Sequence, residues 1–126
     1  MNAAITGIYA APLGLLFLIL SARVITYRRG NAISLGDGGD QVMLARMRAQ
    51  GNFAEYAPFG LLVLLIAEMQ GSAPVWLHLC GLLLLVGRIV HGVNFSFGLR
   101  NMLLRVGGMV MTLTALAIGA LLSLPI

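Results

Sequence analysis

Long apolar stretches constrain this chain more than any other feature of its sequence. Residues 3–22, 59–67, 75–87 and 106–126 contain no Asp, Glu, Lys or Arg. Only 10% of the chain is charged and 60% is hydrophobic, whereas a soluble domain is about 25% charged. A spanning helix needs about 20 apolar residues, so 126 residues hold about four spans. The composition excludes a soluble globular domain and a disordered chain.

We predict an all-α, integral membrane four-helix bundle that forms one domain over residues 1–126, with spans at about 3–24, 53–69, 74–92 and 104–125. Residues 31–40 are rich in turn-prone glycine and predict a flexible loop, after which helix resumes near Gln41. Residues 94–101 are polar and predict a loop or a frayed helix end. A cleaved signal peptide is disfavoured, because the N-terminus lacks a basic residue and its apolar stretch is long.

The cations indicate how the bundle lies in the membrane. All eight are arginines. Five lie between the first and second spans, namely Arg23, Arg28, Arg29, Arg46 and Arg48. The connection between the third and fourth spans carries Arg100, with Arg88 and Arg105 flanking it. The connection between the second and third spans carries only Glu68. The positive-inside rule therefore predicts two cytoplasmic arginine-bearing loops and both termini outside. A bacterial inner membrane is expected, since no organellar targeting segment is visible. Membrane lipids are expected partners and nucleic acid is not.

Two polar residues lie within the third apolar run. Cys80 is the chain's one cysteine, so neither a disulfide framework nor a metal site is predicted. It has no charged neighbour in sequence that would make it nucleophilic. His78 has no polar neighbour in sequence and predicts a hydrogen bond between helices.

A stripe of polar residues opens the second helix. At about 100° per residue, positions 48, 52 and 55 fall within about 60° of one another. Arg48, Asn52 and Glu55 thus place a cation, an amide and a carboxylate on one face. Charged groups near membrane depth are costly and mark functional candidates. The structural alternative is that Arg48 anchors the topology and Glu55 pairs with an arginine between helices.

The third helix ends in a second stripe. Arg88, His91 and Phe95 are spaced three and four residues apart and share one face. His91 is a candidate proton carrier, or a stacking and hydrogen-bonding group. The alternative is an ordinary histidine at the membrane interface, whose ring nitrogens have hydrogen-bond partners.

Two motifs resemble a known membrane family. The run RAQGNFAEYAP at positions 48–58 resembles the start of the second helix in the MAPEG superfamily, the membrane-associated proteins in eicosanoid and glutathione metabolism. The run VGRIVHGV at positions 86–93, with Arg100 beyond it, resembles the microsomal glutathione transferase and prostaglandin E synthase branch of that family. The resemblance covers the whole chain in length and span order.

The resemblance implies a homotrimer of four-helix subunits with glutathione bound between neighbours near the cytoplasmic face. The residues that would then hold glutathione are Arg48, Asn52, Glu55, Tyr56, Arg88 and His91. Arginines at the end of the first helix are candidates for further contacts. These residue types suit the charged groups of glutathione. The guanidinium of an arginine binds a carboxylate through two N–H groups, and Glu55 suits an ammonium or an amide N–H.

The implied function is a membrane glutathione transferase of the detoxification type, which adds the glutathione thiolate to hydrophobic electrophiles or reduces lipid hydroperoxides. A thiol of pKa about 8.5 is mostly protonated at neutral pH, so a cation must stabilise the thiolate. The catalytic candidates are Arg105 and Arg100, and Arg105 is favoured because it begins the last span. Phe95 stands where several family members carry a tyrosine, so that position offers no hydroxyl to the thiolate.

Two other functions stay open. A non-catalytic lipid-binding or scaffold protein of the same family would keep the trimer, but would not need the glutathione-binding charges. A small proton-coupled multidrug transporter also has about four spans and needs a carboxylate deep in a span. Glu55 is expected near the cytoplasmic end beside Arg48, which fits a transporter poorly.

Overall fold

A computed structural model describes residues 2–125 of the chain and shows four α-helices in that range. They are α1 (Ala4–Gly30), α2 (Gln41–Met69), α3 (Pro74–Ser96) and α4 (Met102–Leu122). Each is long and apolar enough to cross a membrane. No strand occurs between residues 2 and 125. The predicted all-α, four-helix membrane bundle is confirmed.

Two helices run further than the predicted spans at the end of the bundle where most arginines lie. α1 continues past position 24 to Gly30, and α3 continues past position 92 to Ser96. The predicted loop or frayed end at 94–101 therefore holds only from Phe97 onward. Asn94 is buried in the last turn of α3, and its Oδ1 accepts the Asn101 N–H at 2.8 Å. This bond closes the short connection into α4.

The start of α2 is fixed by Asp40. Its carboxylate accepts the backbone N–H groups of Met43 and Val42 at 3.0 and 2.8 Å, and the hydroxyl of Tyr27 at 2.8 Å. These bonds favour the ionised carboxylate and lower the pKa of Asp40. The cap ends the predicted loop at the position where the sequence places the return of helix.

Helices α3 and α4 cross where two glycines let their backbones meet. A Cβ on Gly108 would lie 3.0 Å from the Gly87 carbonyl oxygen and 3.0 Å from the backbone nitrogen of His91. A Cβ on Gly87 would lie 2.9 Å from the Gly108 carbonyl oxygen. Small residues allow this kind of close approach between membrane helices. Gly87 and Gly108 therefore allow α3 and α4 to pack closely at this point.

Adding a single methyl group at this crossing is expected to destabilise the protein. Gly108→Ala should lower the free energy of unfolding by about 1–3 kcal/mol, because the helices must separate to admit the Cβ. Gly107→Ala is the matched control, since a Cβ there meets nothing within 4 Å and alanine favours helix over glycine. Thermal melting in detergent measures both variants. Equal melting temperatures would contradict the close crossing.

Glu68 fixes the beginning of α1 at the opposite end of the bundle. Its carboxylate accepts the backbone N–H groups of Ile5 and Thr6 at 2.8 Å each, and the hydroxyl of Thr6 at 2.5 Å. The first N–H groups of a helix have no partner within the helix, and the helix dipole favours a negative charge there. Glu68 of α2 therefore caps α1 across the bundle.

Glu68→Gln is expected to lower the free energy of unfolding by about 1–2 kcal/mol, because the amide offers one acceptor oxygen where the carboxylate offers two. Glu55→Gln is a suitable comparison, since the Glu55 side chain is 54% exposed and exposed ion pairs contribute only about 0–1 kcal/mol. Thermal melting of the two variants would contradict the cap if Glu68→Gln were no less stable than Glu55→Gln.

Two further interhelical bonds involve the polar residues of the third span. The hydroxyl of Tyr9 lies 2.7 Å from Nδ1 of His78, which confirms the predicted interhelical hydrogen bond. Cys80 is buried, and its Sγ donates to the Ala115 carbonyl at 3.2 Å. Both residues thus join helices within the bundle.

Candidate functional site

A cationic cleft lies at the end of the bundle where α1 and α3 end and α2 and α4 begin. Its volume is about 690 Å³, and all four helices and the α3–α4 connection line it. Its arginines are Arg23, Arg46, Arg48, Arg100 and Arg105. None of its lining residues in the described chain is acidic. We call this feature the arginine cleft. Its charge suits a ligand with more than one anionic group.

Arg105 and Arg100 bring uncommitted guanidinium groups to the arginine cleft. Arg105 is exposed in the first turn of α4, where the helix dipole adds positive potential. Arg100 is exposed in the preceding connection and has a left-handed backbone with φ 53°. Within residues 2–125 neither guanidinium forms a hydrogen bond or an ion pair. Their N–H donors are therefore available to a ligand.

Arg23 and Arg46 line the same cleft but serve to join helices. Arg23 donates through Nε to the hydroxyl of Ser96 at 2.6 Å and through Nη2 to the Ser96 carbonyl at 3.0 Å. Its guanidinium carbon lies 3.6 Å from the centre of the Phe97 ring. Arg46 donates to the Arg23 carbonyl at 3.0 Å and lies over the ring of Tyr27. These contacts hold α1 against α2 and α3.

The predicted stripe on α2 leads from the arginine cleft to the outer surface of the subunit. Nη2 of Arg48 lies 3.5 Å from Oε1 of Glu55, and the two side chains are 50% and 54% exposed. Glu55 thus pairs along its own helix in the described chain, and the alternative of a pair between helices is wrong within one subunit. Gly51 lies beneath this pair, since a Cβ there would be 3.2 Å from Nη1 of Arg48.

Arg88 lies inside the bundle, away from the lining of the arginine cleft. It is 1% exposed. Its donors reach Oδ1 of Asn52, Oγ1 of Thr112 at 3.0 Å and Sδ of Met109 at 3.3 Å, and the ring of Tyr56 lies 5.5 Å away. Because Arg88 occupies the amide oxygen of Asn52, the Asn52 NH₂ group remains as a donor for another partner. Arg88 therefore orients Asn52 rather than lining the cleft itself.

His91 lies behind the wall of the arginine cleft. It is 4% exposed, and its ring stacks on Phe95 with centroids 4.6 Å apart. Its Nδ1 has no hydrogen-bond partner among the described residues. The described residues therefore show a buried, stacked His91, and its satisfaction as an interfacial histidine stays a prediction. The stacking role that the sequence left open is the one that the geometry shows.

The structure divides the predicted site residues into three groups. Arg48, Arg100 and Arg105 line the arginine cleft. Glu55, Asn52, Tyr56 and Arg88 lie outside its lining, where Glu55 extends outward from Arg48 and the buried Arg88 contacts the partly buried Asn52 and Tyr56. His91 contacts the cleft through Phe95. The sequence does not reveal the contributions of Arg46, Asn94 and Ser96. Asn94 and Ser96 belong to the polar segment for which the sequence predicts a loop or a frayed helix end.

Comparison with known proteins identifies the family. The model of the MAPEG family matches residues 6–125. This chain belongs to the MAPEG family. It is also similar to the inner membrane protein YecN in two strains of Escherichia coli, with 33% identity over 91 residues, 72% of this chain and 70% of each relative. No solved structure matches the chain. With four helices of spanning length, the predicted multi-pass bacterial inner membrane protein is confirmed.

Proposed function

We propose that this MAPEG protein is a membrane glutathione transferase, which binds glutathione at the arginine cleft and adds its sulfur to a hydrophobic electrophile. The observation that carries the proposal is the pair of uncommitted guanidinium groups, Arg100 and Arg105, in a cleft that Arg48 also lines. Family membership supports glutathione as the thiol.

Glutathione offers two carboxylates and one ammonium, and this end of the bundle holds groups that match them. Arg48 and Arg100 supply forks for carboxylates, while Glu55 accepts the ammonium and Asn52 donates an amide N–H. An exposed ion pair is worth only about 0–1 kcal/mol. Arg48 and Glu55 can therefore give up their mutual ion pair at little cost in free energy, and bind a carboxylate and the ammonium of the ligand instead.

Arg105 is the group proposed to stabilise the thiolate. The thiol loses its proton to solvent, and the sulfur attacks the electrophilic carbon with its lone pair. As the S–C bond forms, the bond to the leaving group breaks, and that group, such as chloride, departs with its electron pair. A hydroperoxide would be reduced to an alcohol and water while two glutathione molecules join in a disulfide.

The rim of the arginine cleft suits a substrate dissolved in the membrane. Val42, Phe97 and Met102 line the cleft and are themselves 46%, 52% and 65% exposed. Apolar groups at the mouth of a cationic cleft allow an apolar electrophile to approach from the bilayer while glutathione enters from water.

We further propose the predicted homotrimer, with a neighbouring subunit covering the stripe on α2. An ion pair with both side chains about half exposed lies on a helix that also exposes Phe59 and Leu62. Charges facing lipid are costly, and a second copy of the chain would remove them from lipid. Native mass spectrometry of the detergent-solubilised protein should give the mass of three chains.

The alternative is a lipid-binding protein without turnover, which the same cationic cleft and apolar rim also fit. Thermal melting distinguishes the two. We expect glutathione and S-methylglutathione to raise the melting temperature, and glutathione to be conjugated to an activated aryl chloride. Stabilisation by anionic phospholipid alone, with no effect of either glutathione, would favour lipid binding. The transporter hypothesis would need proton-dependent efflux from liposomes that Glu55→Gln abolishes.

A further inference from the structure

Arg105 is held in the cleft by a contact that consumes none of its hydrogen-bond donors. Its guanidinium carbon lies 5.4 Å from the centre of the Phe95 ring, within the range of a cation–π interaction. Arg88 provides the contrast, because it donates to Asn52, Thr112 and Met109. A cation that must bind a ligand benefits from being fixed in place while its N–H groups stay free.

The Phe95 ring is itself held from behind. It stacks on His91 at 4.6 Å with an interplanar angle of 21°, and His91 is buried. The backbone of His91 packs on Gly108 of α4, where a Cβ would be 3.0 Å from the His91 nitrogen. Gly108 and Arg105 are three residues apart and share a face of α4. On α3, Phe95 and His91 contact each other, and each also contacts one residue of α4: Phe95 contacts Arg105, and His91 contacts Gly108.

We propose that Phe95 is a positioning residue, which fixes the guanidinium of Arg105 in the arginine cleft through its ring and leaves the N–H groups of Arg105 free for the bound thiolate. This inference rests on the proposed function for its catalytic consequence. The placement of Arg105 by Phe95 stands on the geometry alone. Phe95 acts through Arg105, so removing its ring should affect formation of the thiolate more than capture of glutathione.

Phe95→Leu removes the ring but keeps an apolar side chain. A cation–π contact, whether exposed or partly desolvated, changes an equilibrium constant by about three- to tenfold. With the native thiol pKa about two units below 8.5, we therefore expect conjugation at pH 7 to fall about 1.5- to threefold through kcat, with KM for glutathione nearly unchanged. The midpoint of the thiolate absorbance titration should move to higher pH by about half a unit to one unit. Phe95→Tyr keeps the ring and should match or exceed the native protein.

Phe17→Leu is the matched control, because the Phe17 ring also stacks on an aromatic ring, that of Phe53 at 5.4 Å, and neither residue lines the arginine cleft. It should leave the thiolate midpoint unchanged. The proposal is overturned if Phe17→Leu shifts the midpoint as much as Phe95→Leu, if Phe95→Tyr is as impaired as Phe95→Leu, or if Phe95→Leu changes only KM.

A second readout does not depend on glutathione chemistry. Phenylglyoxal labels accessible arginines, and mass spectrometry locates the label. We expect Phe95→Leu to increase labelling of Arg105 and to leave labelling of Arg100 unchanged. If the native protein forms no thiolate but this pattern is seen, the proposed function fails while the positioning of Arg105 stands. Equal labelling of Arg105 in the native and Phe95→Leu proteins would overturn the positioning itself.

Discussion

Replacing Arg105 by leucine is expected to lower the rate of glutathione conjugation at pH 7 about twenty- to thirtyfold, because the thiolate fraction falls from about three quarters to about 3% when the thiol pKa returns from about 6.5 to about 8.5. Each unit by which a thiol pKa is lowered corresponds to about 1.4 kcal/mol of thiolate stabilisation, and a nearby cation in a partly dry site supplies about two units. Arg105 is an uncommitted cation in the first turn of α4. A steady-state assay with glutathione and an activated aryl chloride measures the loss.

The pH dependence of the Arg105→Leu variant gives an internal control. The thiol ionises by itself above its ordinary pKa of about 8.5, so the variant should approach native activity as the pH rises beyond that value. Arg100→Leu should weaken glutathione binding more than it slows the chemical step, and Arg105→Lys should keep part of the activity. Native activity at neutral pH in Arg105→Leu would exclude Arg105 from thiolate formation.

Arg88→Ala is expected to lower the free energy of unfolding by about 2–4 kcal/mol, because the truncation empties a large buried volume and removes hydrogen bonds between three helices. Arg88 is 1% exposed and links α3 to Asn52 of α2 and to Thr112 and Met109 of α4. Its removal leaves a cavity and orphans the polar atoms of Asn52 and Thr112. The measurement is thermal or denaturant unfolding in detergent.

Two comparisons separate the causes of this loss. Arg88→Met keeps most of the volume, so the difference from Arg88→Ala reports the cavity. Arg29→Ala removes an exposed arginine and should change stability by no more than about 0.5 kcal/mol. Glutathione affinity should fall in Arg88→Met as well, because the amide of Asn52 loses the bond that orients it. An Arg88→Ala protein as stable as the native one would contradict the buried network.

The helices could be predicted from the sequence because hydropathy alone decides which segments lie in a membrane. Their ends were less predictable, because they depend on single polar contacts. Asn94 looks like a loop residue in sequence, yet it lies buried in the last turn of α3, where it binds the Asn101 N–H. A polar residue near an apolar run does not reveal whether it ends the helix or caps the next one.

The cleft arginines could be found from the sequence, but the depth of each one could not. Arg48 is predicted to bind glutathione and Arg105 to stabilise its thiolate, and both line the cleft. Arg88 is predicted to bind glutathione as well, yet it lies in the interior with neutral partners on two other helices. Helical periodicity places residues on a face of their own helix, whereas the rotation of one helix against another decides what that face meets. Glu68 was missed for the same reason, since its partners on α1 are distant in sequence.

The central claim is that glutathione becomes a thiolate in the arginine cleft, and a difference absorbance titration tests it most directly. Glutathione is added to the purified protein in detergent at neutral pH, and thiolate absorbance in the ultraviolet is recorded against S-methylglutathione, which carries the same charges without a free thiol. The account predicts a saturable thiolate signal in the native protein that Arg105→Leu abolishes. Saturable glutathione binding without thiolate absorbance in the native protein would contradict it.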